Sequence, residues 1–369
     1  MTTPIVLHIR GSDFYGSPER LIIGQMQYMS SVRSIAASFV KPGHANPFLE
    51  RLGSFGMERI AVEDRHKFDW QIPGRLRAIC ATHQVDLIVT HEYKSAFYGF
   101  LARRKLAVPQ ICYFHGWTSE DARVRLYNAL DRFVHRRAVR VVTVSKASAQ
   151  RLVESGVPPD KIDVVYNAID IDPNADPPER QPNAAPVIGV VGRLSFEKGV
   201  HDFIRALAVV RGRSHRFAAR IIGSGPEETR LKQMTAQLGL TDVVSFEGFR
   251  SDLDQVYPRL DFLVMPSLSE GHPVVILEGW KHGLGIIATR AGGIPEVVEH
   301  EKTGLLADVG RPEQLAELIR RGIGDTGLMN RLGRAGFDRL KTDYSYRGQA
   351  ARLEAIYLAV IREYREKTN

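Results

Sequence analysis

Short apolar runs, each about the length of one strand, alternate along the chain with longer stretches whose apolar residues recur at helical spacing. Such runs suit strands buried on both faces, and their alternation with helical stretches dictates parallel sheets joined by crossover helices. In the first half the strand candidates are residues 5–9, 34–39, 87–90, 110–114, 140–144 and 162–165. In the second half they are residues 186–191, 219–222, 243–246, 262–265 and 285–288. Between the two sets, residues 172–186 hold five prolines in fifteen positions with little apolar content, as an ordered, extended linker would. The pattern therefore predicts a doubly wound α/β domain over residues 1–171, a linker over 172–186 and a second α/β domain over 187–345. Residues 346–369 form a closing helix, with Ala350, Leu353, Ile356, Tyr357, Val360 and Ile361 spaced along one face.

A chain of 369 residues, 44% hydrophobic and 25% charged, is long enough for two proper cores. Its two cysteines, Cys80 and Cys112, supply no disulfide framework, which points to a reducing, cytoplasmic setting. Met1 to Pro4 lead straight into the first apolar run, too short for a signal peptide, and no run approaches the ~20 residues that span a bilayer. Any membrane association is expected to be peripheral, on the inner face. Residues 1–170 carry 23 Lys and Arg against 16 Asp and Glu, so +7 of the formal +8 lies in the first half. The densest groups are Arg123, Arg125, Arg132, Arg136, Arg137 and Arg140, and Arg103 to Lys105. Each group alone reads as a solvated helix face; together they favour an anionic partner such as a membrane surface or a phosphate-linked acceptor. No nucleic-acid motif accompanies the charge, so a nucleic-acid partner is not expected.

Ser267 to Glu278 place two carboxylates, Glu270 and Glu278, eight positions apart around a turn that opens into a helix. Pro273 suits the first helical position, where its missing N–H has no intrahelical partner. The amides of Val274 and Val275 are then free donors at the positive helix end, which attracts phosphate. Gly271 and His272 complete the turn, Glu270 stands just before the anion site, and Glu278 is expected about two turns into the helix. Carboxylates accept hydrogen bonds from sugar hydroxyls, so the pair suits the two sugars of a nucleotide sugar.

Other candidates lie at the carboxyl ends of expected strands, where open α/β sheets bind ligands. Arg193 and Lys198 follow the strand 187–191; by residue type alone they read as surface charges, yet the same pair could hold a departing diphosphate. His115 follows the strand 110–114, and His91, after 87–90, divides evenly between a structural role and the acceptor side. The loop from Gly11 to Gly16 turns tightly but lacks the G-x-G-x-x-G spacing.

The order of these segments resembles the retaining glycosyltransferases of family four. The match is strong after residue 186, in Gly192 to Gly199, Ile222 to Pro226, Val244 to Gly248, the glutamate segment, Gly292 to Val298 and Thr303 to Leu306. It is looser before, in Gly16 to Arg20, Phe114 to Gly116, Val144 to Lys146 and Val165 to Asp170. The resemblance implies the GT-B fold, two Rossmann-like domains facing a cleft, with the C-terminal helix crossing back to the first. It assigns Arg193 and Lys198 to the donor diphosphate, Glu270 to the transferred sugar and Glu278 to the ribose. His115 faces that sugar across the cleft, where hydrogen bonding is preferred to general-base work. Gly16 lets the main chain approach the diphosphate or acceptor, and Arg250 belongs to a base-side loop that acts through backbone groups.

In two places the sequence departs from the family pattern. His272-Pro273 stands where many members have Phe-Gly, and Gly279-Trp280 replaces the commoner small pair after the second glutamate, with consequences for packing beside the ribose. The implied reaction transfers a sugar from a nucleotide-sugar donor to a glycan or lipid-linked acceptor with retention, in cell-surface glycan synthesis. It needs no cofactor and no metal, and Asp252 and Asp254 read as a helix start. A nucleotide-sugar hydrolase or epimerase, or a non-catalytic sensor or scaffold, is the alternative.

Overall fold

The computed structural model describes residues 3–12, 14–66, 68–116, 122–180, 183–212 and 216–368, with the backbone alone for 122–126. The chain forms two compact units, Met1–Asn167 with Tyr346–Asn369, and Ala168–Ser345.

The first unit is built on strands β1 (Ile5–Ile9), β2 (Arg33–Val40), β3 (Arg59–Glu63), β4 (Leu87–Thr90), β5 (Gln110–Phe114), β6 (Arg140–Thr143) and β7 (Ile162–Val164). They pair in the order β3-β2-β1-β4-β5-β6-β7, every ladder parallel. Leu7 and Ile9 face one apolar cluster and Val6, Leu87 and Val89 another, so the sheet is buried on both sides. The closing helix Tyr346–Thr368 supplies Leu353, Tyr357, Val360 and Ile361 to the second cluster, which places it on the first unit as the resemblance implied. Its Glu354 accepts the amides of Ser30 and Ser31 at 2.6 and 2.5 Å, satisfying backbone donors just beyond the helix Ser17–Tyr28.

The second unit contains β8 (Val187–Val191), β9 (Ala218–Ile222), β10 (Val244–Gly248), β11 (Phe262–Met265), β12 (Gly285–Thr289) and β13 (Leu305–Ala307), in the parallel order β10-β9-β8-β11-β12-β13. Residues 172–180 and 183–186 group with this unit and are tied to it by side chains. The Arg180 guanidinium donates to the carbonyls of His282 and Leu260, and Asp261 accepts from Asn183 and from the first amide of β8. Among the described residues no helix is long and apolar enough to cross a membrane.

Two strands, β3 and β13, were absent from the sequence reading. β3 is an edge strand with Val62 its one fully buried side chain, so no apolar run marks it, and β13 has three residues.

Candidate active site

In the second sheet the strand order reverses between β8 and β11, which are neighbours while β9 and β12 lie on opposite sides. Ligands of doubly wound sheets bind at the carboxyl edge of such a reversal, and the loops leaving β8 and β11 carry the charged candidates. Glycines in the loops after β8 and β12 let both pack closely on the loop after β11. Gly199 has φ +64°, and a Cβ there would lie 2.0 Å from the Pro266 carbonyl oxygen. Gly292 has φ +51°, and its Cβ would lie 1.9 Å from the carbonyl oxygen of Glu270. Neither conformation nor contact tolerates a side chain. The backbone of the loop after β8 also accepts from the loop after β11, with Leu268 N donating to Glu197 O at 2.8 Å.

Lys198 ends a 3₁₀ turn, Phe196–Lys198, and its Nζ donates to Glu270 Oε1 at 2.6 Å. Ser267 Oγ donates to the same oxygen at 2.8 Å, and Thr289 Oγ1 fixes the Ser267 carbonyl at 2.5 Å. The Glu270 side chain is only 9% exposed while Lys198 keeps 31%, so the cation is the more accessible member of the pair. Arg193 is exposed, and its guanidinium makes no hydrogen bond or ion pair among the described residues.

The helix that follows differs from expectation in register. It runs Val274–Lys281, and Pro273 is its N-cap, with ψ 113°, not its first helical residue. The His272 ring, just before the helix, is buried against Tyr344, 5.3 Å between centroids. Burial takes the His272 imidazole down to about 3, so it adds no positive charge to the site. The first turn leaves the amides of Val274 and Val275 ahead of the Ile276-to-Pro273 bond, without an acceptor among the described residues, as at a helix start. Glu278 is consequently the fifth helical residue, a little over one turn in instead of two, and Tyr257 Oη donates to its Oε2 at 2.6 Å. Trp280 is fully buried with Nε1 donating to Thr303 O at 3.2 Å, so the Gly279-Trp280 departure is accommodated in the core.

On the loop after β10 the Arg250 fork closes on Asp252, at 2.7 and 2.6 Å, and holds that carboxyl down at about 2. Its side chain is therefore committed, and Asp252 sits at the N-cap of the helix Leu253–Val256.

In the first unit the reversal lies between β1 and β4. Gly16 is the N-cap of the helix Ser17–Tyr28, and its amide donates to Glu19 Oε2 at 2.9 Å. The buried Glu19 also takes Arg10 Nε at 2.6 Å, and Arg10 reaches the His91 carbonyl at 3.0 Å. His115 stands at the carboxyl end of β5, stacked on Tyr113, with Nε2 bonded to no group among the described residues. Burial, and secondarily Arg10, brings its imidazole down to about 4, so near neutrality it is an uncharged hydrogen-bonding group and a weak base. His91 is buried, with Nε2 3.2 Å from His8 Nδ1 and its ring stacked on Tyr113. That environment packs the His91 ring between His8 and Tyr113.

Comparison with known proteins accords with this geometry. The family described as glycosyl transferases group 1 matches residues 172–339, and glycosyltransferase family 4 matches residues 33–173. The chain belongs to the group 1 glycosyltransferases. An uncharacterised glycosyltransferase of Methanocaldococcus jannaschii is 26% identical over 78% of this chain and 80% of its own length. A putative colanic acid biosynthesis glycosyltransferase of Escherichia coli is 32% identical over 50% of this chain and 47% of its own, so the chain spans about half of that relative. The crystal structure of Anabaena HepE in complex with UDP and glucose superimposes with a TM-score of 0.83 at 22% identity, over 96% of this chain and all of the other, which establishes the GT-B architecture.

Several polar groups of this glycosyltransferase family member had no sequence signal. Tyr257 lies 21 residues from Glu278, and nothing local marks it. Ser267 opens the glutamate segment, yet only the fold shows that its hydroxyl reaches Glu270. The Arg10–Glu19 pair falls outside the quoted motifs except for Glu19 itself. Part of the basic excess has structural work. Arg136 donates to Ser155 O, Arg103 to Arg137 O and Arg140 to Asp160 O, and the Arg137 guanidinium lies 3.8 Å from the Phe133 ring centre. The side chains of Arg123 and Arg125 lie outside the described residues.

Proposed function

We propose that the protein transfers a sugar, with retention, from a nucleotide-sugar donor to a glycan or lipid-linked acceptor in cell-surface glycan synthesis. The observation that carries this reading is the Lys198–Glu270–Ser267 cluster at the strand reversal of the second sheet, beside the amides that open the helix Val274–Lys281. A diphosphate fits a lysine, an exposed arginine and free helix amides. The transferred sugar fits Glu270, and the ribose fits Glu278 oriented by Tyr257. A UDP-sugar is the first donor to try, since the Anabaena HepE structure holds UDP.

In the proposed reaction the bond from the anomeric carbon to the diphosphate oxygen breaks. The acceptor hydroxyl bonds to that carbon on the same face and passes its proton to the departing phosphate. Arg193 and Lys198 stabilise the charge gathering on the leaving group, with the helix N-terminus, and no metal is assigned to that task. His115 is assigned a hydrogen bond to the transferred sugar, and Gly16 and the backbone at Arg250 the approach to diphosphate and base. Peripheral attachment to the inner membrane face is part of the proposal, resting on the basic first unit.

The test is release of nucleoside diphosphate from a panel of nucleotide sugars, with and without acceptor, and the anomeric configuration of the product by NMR. Acceptor-dependent release with retention supports the reading. Inversion, or binding without turnover, contradicts it.

A further inference from the structure

Arg10 follows β1 and reaches across the carboxyl edge of the first sheet. Its backbone amide stays on the Ala37 carbonyl of β2, while Nε donates to Glu19 Oε1 at 2.6 Å and Nη1 to the His91 carbonyl at 3.0 Å. Glu19 is wholly buried and turns its other oxygen to the Gly16 amide at 2.9 Å. At the near end of the same loop the Gly11 amide donates to Glu92 Oε1 at 3.2 Å. The loop between β1 and the helix Ser17–Tyr28 is thus held at both ends by carboxylates, and one guanidinium ties it to the loop leaving β4.

Capping the helix does not require this pair. Glu19 stands three residues after the N-cap, where an uncharged glutamine would also accept the Gly16 amide. A buried ion pair carries a desolvation cost on both partners, offset only by close geometry and by hydrogen bonds to the remaining polar atoms. Arg10 is 12% and Glu19 0% exposed, and the pair is bonded to the Gly16 amide on one side and the His91 carbonyl on the other. What the charges add to the cap is this span, which a lone glutamine cannot make. The guanidinium also lies near His115: after burial, Arg10 is the group that most disfavours the charged form of that ring.

We infer that Arg10 is a positioning residue for the transfer reaction: with its fork on Glu19 and on the His91 carbonyl, it holds the Gly16 backbone in the place from which that backbone meets substrate. The inference rests on the proposed transferase reading, in which Gly16 lets the main chain approach the diphosphate or acceptor. Neither Arg10 nor Glu19 need touch substrate for this role.

The experiment is steady-state kinetics of the full-length protein with a nucleotide sugar, for Arg10→Lys, Glu19→Gln and the two combined, each with its melting temperature. Lysine keeps the charge on one nitrogen and cannot grip Glu19 and the His91 carbonyl together. Glutamine keeps the cap and loses the ion pair. Each single substitution should lower kcat by ~10-fold or more, with KM for the donor changed by less than ~2-fold, as for a displaced group that does not itself bind substrate. The double variant should lose no more than the worse single, because both act on one contact. Hydrogen exchange of the Gly16 amide, read without any substrate, should quicken severalfold in both singles. An unchanged kcat in either single overturns the inference, Glu19→Gln because the cap alone then suffices. Additive losses in the double variant, losses that vanish well below the melting temperature, or an unquickened Gly16 amide overturn it too. If the unsubstituted protein turns over no nucleotide sugar, the transferase reading falls and takes this role with it; if it does and the variants match it, the role given to Arg10 alone is wrong.

Discussion

Lys198 Nζ lies 2.6 Å from Glu270 Oε1, so the cation assigned to the diphosphate and the carboxylate assigned to the sugar are each other's partner in the free protein. In the proposed complex a bound nucleotide sugar replaces both ends of that bond. Phosphate oxygens take the ammonium, and sugar hydroxyls donate to the carboxylate in its place. Ser267 keeps Glu270 oriented through the exchange. A nucleoside diphosphate without its sugar satisfies only Lys198 and leaves a largely buried Glu270 with one donor fewer.

Glu270→Gln therefore separates the two ends. It removes the charge that competes for Lys198, so affinity for the free diphosphate stays level or rises. Transfer from the intact donor falls by roughly 10–100-fold, the loss of a hydrogen bond to a charged group. Calorimetry with the diphosphate and turnover with the donor measure the two effects, and an equal loss in both would remove Glu270 from the sugar-binding role.

Tyr257→Phe deletes one hydroxyl and little else, since the ring is buried and its Oη donates to Glu278 Oε2. Nucleotide affinity should fall by a few-fold to tenfold, with a free ribose-lacking diphosphate unaffected. The comparison of uridine diphosphate with inorganic pyrophosphate in the same titration checks this.

Gly292→Ala forces a side chain into a φ of +51° and against the Glu270 carbonyl, so the loop carrying Glu270 must move. Melting temperature and transfer should both drop, by more than for Gly310→Ala, where φ is +69° but nothing lies within 4 Å. Equal melting of the two variants would show that the close approach matters less than the backbone angle.

Acid should destabilise the fold early. Burial holds His8, His135 and His272 near 3 and His115 near 4, whereas the unfolded chain takes up these protons near 6.5. Below that value the unfolded state binds more protons, so the stabilising difference is whole above it and is lost as pH falls, by up to ~1.4 kcal/mol per group per pH unit. Melting temperature should decline steadily from pH 7 to 5; a flat profile would mean that these rings are protonated without penalty.

The sheets were legible because their central strands are apolar over most of their length: residues 87–90, 110–114 and 262–265 are strands with the boundaries read from sequence. β3 escaped because an edge strand needs no second apolar face, and β13 because three residues carry no period. The glutamate segment was visible as chemistry but not as geometry. Its Pro273 is the N-cap and not the first helical residue, a shift of one position worth about a quarter of a turn, since proline fits both places; the rest of the difference at Glu278 is that a sixth helical residue is itself short of two turns. The Lys198–Glu270 bond spans 72 positions, and only the strand reversal brings its members together.

The central claim is that the second unit binds an intact nucleotide sugar through this cluster, and the melting temperature against UDP-, GDP-, ADP- and dTDP-sugars tests it most directly. A ligand at a hundred times its dissociation constant adds ~2.7 kcal/mol, a shift of several degrees for a unit of this size. The account predicts a shift with one nucleotide class, reduced for the intact sugar nucleotide by Glu270→Gln and lost for both sugar nucleotide and free diphosphate in Lys198→Ala. No shift with any class, or a shift indifferent to both substitutions, would contradict it.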